Sequence, residues 1–307
     1  PIGSISPVNE PQGNGGSWES MDMSPQEQRD VVVAIGRAFR SEGLDTRILI
    51  FDQNRAEMAP YTQAVFGDPV AAPLAFGTAV HWYNSTFRVY EEVLDAQHAL
   101  YPDKVIIQSE GTVDSLANPV SCAGTCLKQP CGCEELYAWW QDDSWYWRNE
   151  ATDWGWDWAP ERELDHPKYA PAMRYARDLV VSIGHWVAGW IDWNIVLNKR
   201  GGPNHVENYC LAPVLVDGET NSVYYTPIYY VLAQFSRFSR PGATVVTTEV
   251  DGPEGLEATA LQNPDGSVAV HVFNESGKAI PYAIEVGERQ VTVSVPNAAL
   301  QTTVFAP

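Results

Sequence analysis

The sequence predicts an α/β fold: a parallel sheet covered by helices, followed by a small antiparallel β domain. Three observations carry this. Over the first two-thirds of the 307 residues, continuously apolar runs alternate with amphipathic helix patterns, the mark of strands buried on both faces. After Pro241-Gly242 the runs become short and alternate apolar with polar residues, as in strands with one face in water. Finally, each apolar run of the first part stops in a cluster of polar or aromatic residues.

In chain order, 2–8 reads as a short strand. Ser24-Pro25-Gln26-Glu27 reads as a helix start, with Ser as N-cap, Pro at the first helical position and Glu three residues after the cap. That helix continues through "RDVVVAIGRAFR" and stops near Gly43. Strands are predicted at 47–54, 75–84, 104–111 and 187–194. Asp68-Pro69 is expected to open a short helix. Further helices are expected over 87–100, 169–186 and 227–239. "NPDG" at 263–266 marks a hairpin turn in the C-terminal part. The domain division is placed at 1–241 and 242–307.

Composition narrows the function. Apolar residues make up 45% of the chain, enough for a sizeable core. The 39 acidic against 19 basic residues give a net charge of -20, which disfavours nucleic acid and anionic membranes as partners. A neutral substrate fits better, and no apolar run is long enough for an integral membrane segment. Four cysteines crowd into "CAGTCLKQPCGC", namely Cys122, Cys126, Cys131 and Cys133, with Cys210 apart. Their spacing is not that of a zinc ribbon or finger. One or two local disulfides in an exported protein is the first reading, and a thiolate metal site the alternative.

The strand ends read Asn9-Glu10, Asp52-Gln53-Asn54, His81-Trp82-Tyr83, Ser109-Glu110 and Asp192-Trp193-Asn194. In a (β/α)8 TIM barrel the active site lies at the C-terminal ends of the strands. Two of these ends carry glutamate, Glu10 and Glu110. A pair of carboxylates is what glycosidic bond cleavage needs: one protonated to help the leaving oxygen depart, one ionised to attack the anomeric carbon or activate water. A single glutamate at a strand end can equally cap a helix or pair with an arginine. Two with aromatic neighbours point to a site. His81 and Trp82 are read as cleft wall or core, His185 and Trp186 as packing at a helix end.

"SPVNEP", "GTAVHWY", "IIQSEG" and "GWIDWNIVLNKRGGPN" together resemble glycoside hydrolase family 30, the family of glucosylceramidases and β-1,6-glucanases. "NEP" alone is widely shared among retaining barrel glycosidases, whereas "GWIDWN…GGPN" is specific. The resemblance implies a retaining β-glucosidic hydrolase, glucosylceramidase-like, with a β-1,6-glucanase or a non-catalytic carbohydrate-binding protein as alternatives. It implies Glu10 as general acid/base on the fourth barrel strand and Glu110 as nucleophile on the seventh. Asn9 would contact the sugar 2-hydroxyl, Tyr83 the nucleophile, and Trp193 and Asn208 the glycone. Asn54 falls where glucosylceramidases tend to have Gln. A β-glucoside, glucosylceramide or β-glucan would be the substrate, and no metal or organic cofactor is required. The aromatic stretches at 145–147 and 153–158 depart from the mammalian pattern toward bacterial members and are expected to shape aglycone subsites or form a flap. On this resemblance the chain holds about strands four to eight of the barrel with a C-terminal antiparallel β-sandwich side domain. Such a fragment, lacking strands one to three, is expected to be unstable or inactive alone, and its parent exported and active.

Overall fold

The computed structural model describes residues 2–13, 21–85, 88–112, 170–198, 201–203 and 210–307. The chain divides into two compact units. The first comprises Pro1–Ser85, Tyr90–Gly111 and His185–Trp193, the second Thr86–Val89, Thr112–Gly184 and Asn194–Pro307.

The first unit is built on a parallel five-stranded sheet in the order β1 (Ser4–Ile5), β2 (Arg47–Asn54), β3 (Ala75–His81), β4 (Val105–Glu110) and β5 (Val187–Trp190). Helices α1 (Pro25–Ser41), α2 (Ala59–Phe66) and α3 (Glu91–Leu100) occur between successive strands. The apolar strand cores explain the layering: Ile48, Ile50, Phe51, Ala79, Val80, Ile106 and Val187 are buried, as are Val32 of α1, Val65 of α2 and Leu94 of α3. The start of α1 follows the predicted signal in full. Ser24 accepts from the Glu27 N–H, Glu27 Oε2 accepts from the Ser24 N–H at 2.8 Å, and Pro25 occupies the first turn.

Several expectations are corrected. The first strand covers only Ser4–Ile5 rather than 2–8, because Pro7 has no N–H to give a ladder. A full helix, α2, precedes Asp68-Pro69. Asp68 itself caps turns, accepting from the Val70 and Ala71 N–H groups, and leads only into a 3₁₀ turn at Ala72–Leu74. α3 begins at Glu91, after Tyr90 in a left-handed conformation. β5 ends at Trp190, so Asp192 and Trp193 lie beyond it. His185 and Trp186 follow the end of a helix and pack at the surface, with Trp186 stacked on His98 at 3.6 Å between ring centroids. Both donate toward Asp95 Oδ1 at 2.9 Å, and Trp186 is 50% exposed.

The second unit contains α4 (Ala170–Gly184), α5 (Pro227–Phe238) and an antiparallel sheet ordered β14 (Ala299–Phe305), β11 (Val268–Asn274), β10 (Leu256–Gln262), β9 (Thr244–Val246). The hairpin β12 (Ile280–Val286) and β13 (Arg289–Val295) packs on it through a shared core of Val268, Val270, Val272, Ile280, Ile284, Val295 and Phe305. One buried polar group stands out. His271, on β11, contacts Ser239 Oγ at 2.8 Å and Thr302 Oγ1 at 2.9 Å and stacks on Phe235. Burial pulls its imidazole down to about 4, so it is neutral at physiological pH. Arg177 on α4 pairs with Glu275 after β11. A three-stranded sheet of β6 (Val196–Asn198), β7 (Val214–Asp217) and β8 (Ser222–Tyr225) was not foreseen from sequence.

Candidate active site

The site is built at the C-terminal ends of β1 to β4. In the ladder, Asn54, His81 and Glu110 are register partners, so they form one row across β2, β3 and β4. That row exists because two strands carry an extra residue. Phe51 pairs with Ala79 and Gln53 with Val80, which leaves Asp52 as a bulge. Val80 pairs with Gln108 and His81 with Glu110, which leaves Ser109 as a second. A bulge re-aims the side chains beyond it.

Phe51 and Asp52 have φ of 73° and 63°, a left-handed conformation that costs non-glycine residues energy. The buried Gln28 side chain from α1 receives the Phe51 N–H at 2.9 Å, and the Asp52 carbonyl receives the Glu10 N–H at 2.9 Å. Glu10, also left-handed at φ 52°, is thereby tied to β2 five residues past the end of its own strand.

His81 is fully buried at the centre. Its Nδ1 lies 3.3 Å from Glu10 Oε1, and its Nε2 lies 3.1 Å from Asp52 Oδ1 and 3.9 Å from Glu110 Oε2. Ser109 donates to Asp52 Oδ1 at 2.6 Å. Tyr83 donates from its hydroxyl to Glu110 Oε1 at 3.1 Å. Arg55, buried, donates to Gln108 Oε1, whose amide donates to the Glu110 carbonyl. Two asparagines, Asn54 in the row and Asn84 after β3, tie the ends of β2 and β3 together. Asn54 Oδ1 receives the Tyr83 N–H at 2.9 Å, and Asn84 Oδ1 receives the Ala56 N–H at 3.2 Å.

The electrostatics follow from this crowding. Burial opposes a charge on His81, but its bonds to Asp52 and Glu10 and the nearby Glu110 outweigh that and hold the imidazole up at about 9. Burial also works against the Asp52 charge, yet His81, Ser109 and Ser6 leave its carboxyl below the ordinary range. Glu110 moves the other way. Burial pushes it up, His81 and Tyr83 pull down, Glu10 and Asp52 push up again, and the result is about 7. The neighbouring carboxylates thus add to burial in favouring the protonated form of Glu110.

Among the described residues, Glu10, His81 and Glu110 are also the group whose ligand atoms, all within 4.8 Å of one another, could hold a metal ion. In that group Asp52 holds His81 Nε2 and Glu10 faces Nδ1.

Of the predicted site residues, Glu10, Glu110, Tyr83 and Asn54 are brought together. Asn9 is exposed beside Glu10. Trp193 is 54% exposed, and its N–H bonds the carbonyl of Gly111, the residue after Glu110, at 3.0 Å. Asn208, the cysteines at 122–133 and the aromatic stretches at 145–147 and 153–158 lie outside the described residues. Trp82 is core, buried and edge-on to Trp190 with ring centroids 5.6 Å apart. Gly111 fits against both indoles; a Cβ there would sit 2.9 Å from the Trp190 ring. Sequence reasoning missed Asp52 and Ser109 as site residues and left His81 open. Their place at polar strand ends was the available signal.

A parallel sheet with two opposed glutamates at its strand ends, followed by an antiparallel sandwich, has the architecture of a barrel-type glycoside hydrolase. The profile of the glycosyl hydrolase family 30 TIM-barrel domain matches residues 4–123 and 147–239, and that of the family 30 beta sandwich domain matches 242–303. The chain belongs to glycosyl hydrolase family 30, and its fold is a partial (β/α)8 barrel with a C-terminal β-sandwich. The lysosomal acid glucosylceramidase of Mus musculus is 28% identical over 284 residues, 91% of this chain and 47% of that protein. An endo-1,6-beta-D-glucanase of Neurospora crassa is 24% identical over 301 residues, covering 94% and 51%. The crystal structure of SrfJ from Salmonella typhimurium superposes with a TM-score of 0.77 at 22% identity, over 99% of this chain and 57% of that one. The chain spans about half the length of the curated relatives it matches. Among the described residues no helix is long and apolar enough to cross a membrane.

Proposed function

We propose that the protein is a retaining β-glycosidase acting on β-glucosidic bonds, glucosylceramidase-like in its choice of a terminal glucoside. The observation that carries this reading is the approach of Glu10 and Glu110, each of which offers a carboxylate oxygen within 4.8 Å of the other's. Retention is associated with carboxyl groups about 5–5.5 Å apart and inversion with about 6.5–9.5 Å, the wider gap leaving room for a water.

In the first step the protonated Glu10 gives its proton to the glycosidic oxygen as the bond from that oxygen to the anomeric carbon breaks. The ionised Glu110 forms a covalent bond to the same carbon. In the second step Glu10, now a carboxylate, takes a proton from water, and the water oxygen displaces Glu110. The cycle needs a proton on Glu10 when substrate is bound. Tyr83 and His81 both favour the ionised form of Glu110, which supports its role as nucleophile. Asn9 and Trp193 are assigned to the glycone, and the four cysteines at 122–133 suit an exported protein.

A 2-deoxy-2-fluoro-β-glucoside with an activated leaving group tests the chemistry in the full-length protein. A stoichiometric label on the peptide holding Glu110 is expected, and a label on another residue would overturn the assignment. Side-by-side turnover of glucosylceramide, a nitrophenyl β-glucoside and β-1,6-glucan then fixes the substrate. Binding without turnover of any of them would replace the reading by that of a carbohydrate-binding protein.

A further inference from the structure

We propose that Asp52 is a positioning residue for the site, holding His81 against Glu10 so that one nitrogen of the imidazole is reserved for the acid/base. The inference rests on the glycosidase reading for its meaning, though not for its test.

Two routes run from Asp52 to Glu10. Through the backbone, the Asp52 carbonyl fixes the Glu10 N–H at 2.9 Å. Through the side chain, Asp52 Oδ1 accepts a hydrogen bond from His81 Nε2–H at 3.1 Å, and His81 Nδ1 faces Glu10 Oε1 at 3.3 Å. An ionised carboxylate can only accept. Asp52 therefore keeps Nε2 protonated in every state of the cycle, which leaves Nδ1 to share a proton with Glu10. When Glu10 is ionised, Nδ1 carries the proton and His81 is a cation. When Glu10 is protonated, Nδ1 can accept from it. Without Asp52 the ring could adopt either tautomer and either flip.

The fold spends strain on this contact. Asp52 reaches His81 only because it is the extra residue of a left-handed bulge, with φ of 63° after Phe51 at 73°. Two groups hold the bulge in place. Gln28, fully buried on α1, takes the Phe51 N–H that the bulge withdraws from the ladder. Ser109, the bulged residue on the far side of β3, donates to Asp52 Oδ1 at 2.6 Å. Two bulges on the strands flanking β3 thus meet at one carboxylate oxygen. Backbone strain of this kind persists where the surroundings over-determine it and gathers at functional sites. The ionisable groups facing His81 are Glu10 from beyond β1, Asp52 from β2, Glu110 from β4, and Tyr83, whose ring meets the imidazole edge-on at 5.9 Å.

The test is imidazole nitrogen NMR on the full-length protein labelled at histidine, with His81 assigned by its absence in His81→Asn. In the wild type the His81 ring should be a cation at pH 7, with Nε2 protonated throughout its titration. Asp52→Asn keeps the shape and removes the charge, and should lower the His81 titration by about one to three pH units. In the same variant, kcat on a substrate with a poor leaving group should fall at least about tenfold. By contrast, kcat/KM of a dinitrophenyl glucoside, whose first step needs no proton, should change far less. A neutral His81 at pH 7 in the wild type, or an unshifted titration in Asp52→Asn, would overturn the inference. If Asp52→Asn does not fold, the wild-type titration decides alone. If the wild type cleaves no glycoside, the glycosidase reading fails while the His81 titration still judges the contact.

Discussion

Removing the Tyr83 hydroxyl by Tyr83→Phe isolates the ionisation of Glu110. The hydroxyl donates to Glu110 Oε1 at 3.1 Å, and the carboxyl side chain is only 14% exposed, so solvent screens the bond little. A hydrogen bond to a charged group contributes about 1.5–3 kcal/mol, and one pH unit corresponds to about 1.4 kcal/mol. Glu110 should therefore become harder to ionise by about one to two units. The sign follows from the two states of the group. Tyr83 stabilises ionised Glu110 and opposes the burial that pushes it up to about 7, so losing Tyr83 raises the value further. A dinitrophenyl β-glucoside needs no proton on its leaving group, so the acid limb of its kcat/KM against pH, which reads the free protein through the first step alone, reports Glu110 rather than Glu10. That limb should move up by about one to two units, with lower activity on its acid side. A limb that stays in place or moves down would refute the reasoning.

Other outcomes follow from the same structure. His271 is neutral because burial lowers it from 6.5 to about 4. Its contribution to stability is therefore complete above about pH 6.5 and is lost as pH falls toward 4, by up to about 3 kcal/mol. The melting temperature of His271→Gln should fall less steeply over that interval than that of the wild type; parallel curves would contradict this. Ser24→Ala removes the cap of α1 and should destabilise the protein by about 1 kcal/mol in urea unfolding, with the dinitrophenyl glucoside rate unchanged.

Much of the scaffold was legible because its signals are local. The Ser24–Glu27 box and the apolar run of β2 can be read from adjacent residues, and both stand where expected. The glutamate pair was legible through motif and strand-end position together. Asp52 and Ser109 were not, for a physical reason. A reading by alternation assumes one residue per rung, and nothing in "IFDQN" or "IQSEG" announces an extra one. The usual mark of a left-handed residue is glycine, and Phe51 and Asp52 carry that conformation without it. Helix α2 escaped because it has only eight residues and its buried face, Tyr61, Thr62, Val65 and Phe66, includes a threonine while the apolar Ala59, Pro60 and Ala64 lie outside it. Strands β6, β7 and β8 have three or four residues each, too few for a period to show.

The two bulges give the site something like a reading frame. Counting from the rung of Phe51, Ala79 and Ile107, two more rungs bring β3 to His81, while β2 and β4 must each supply three residues to reach Asn54 and Glu110. Deleting one residue at 52 or 109 would restore an even count and a regular ladder, with Asn54 and Glu110 still opposite His81 but without the bulged side chain that meets at the Asp52 carboxylate. An insertion elsewhere in either strand would instead slip the register and turn the row to the opposite face. The ends of β2 and β4 should thus tolerate many substitutions better than any single insertion or deletion, and variation in length should gather in the loops beyond them.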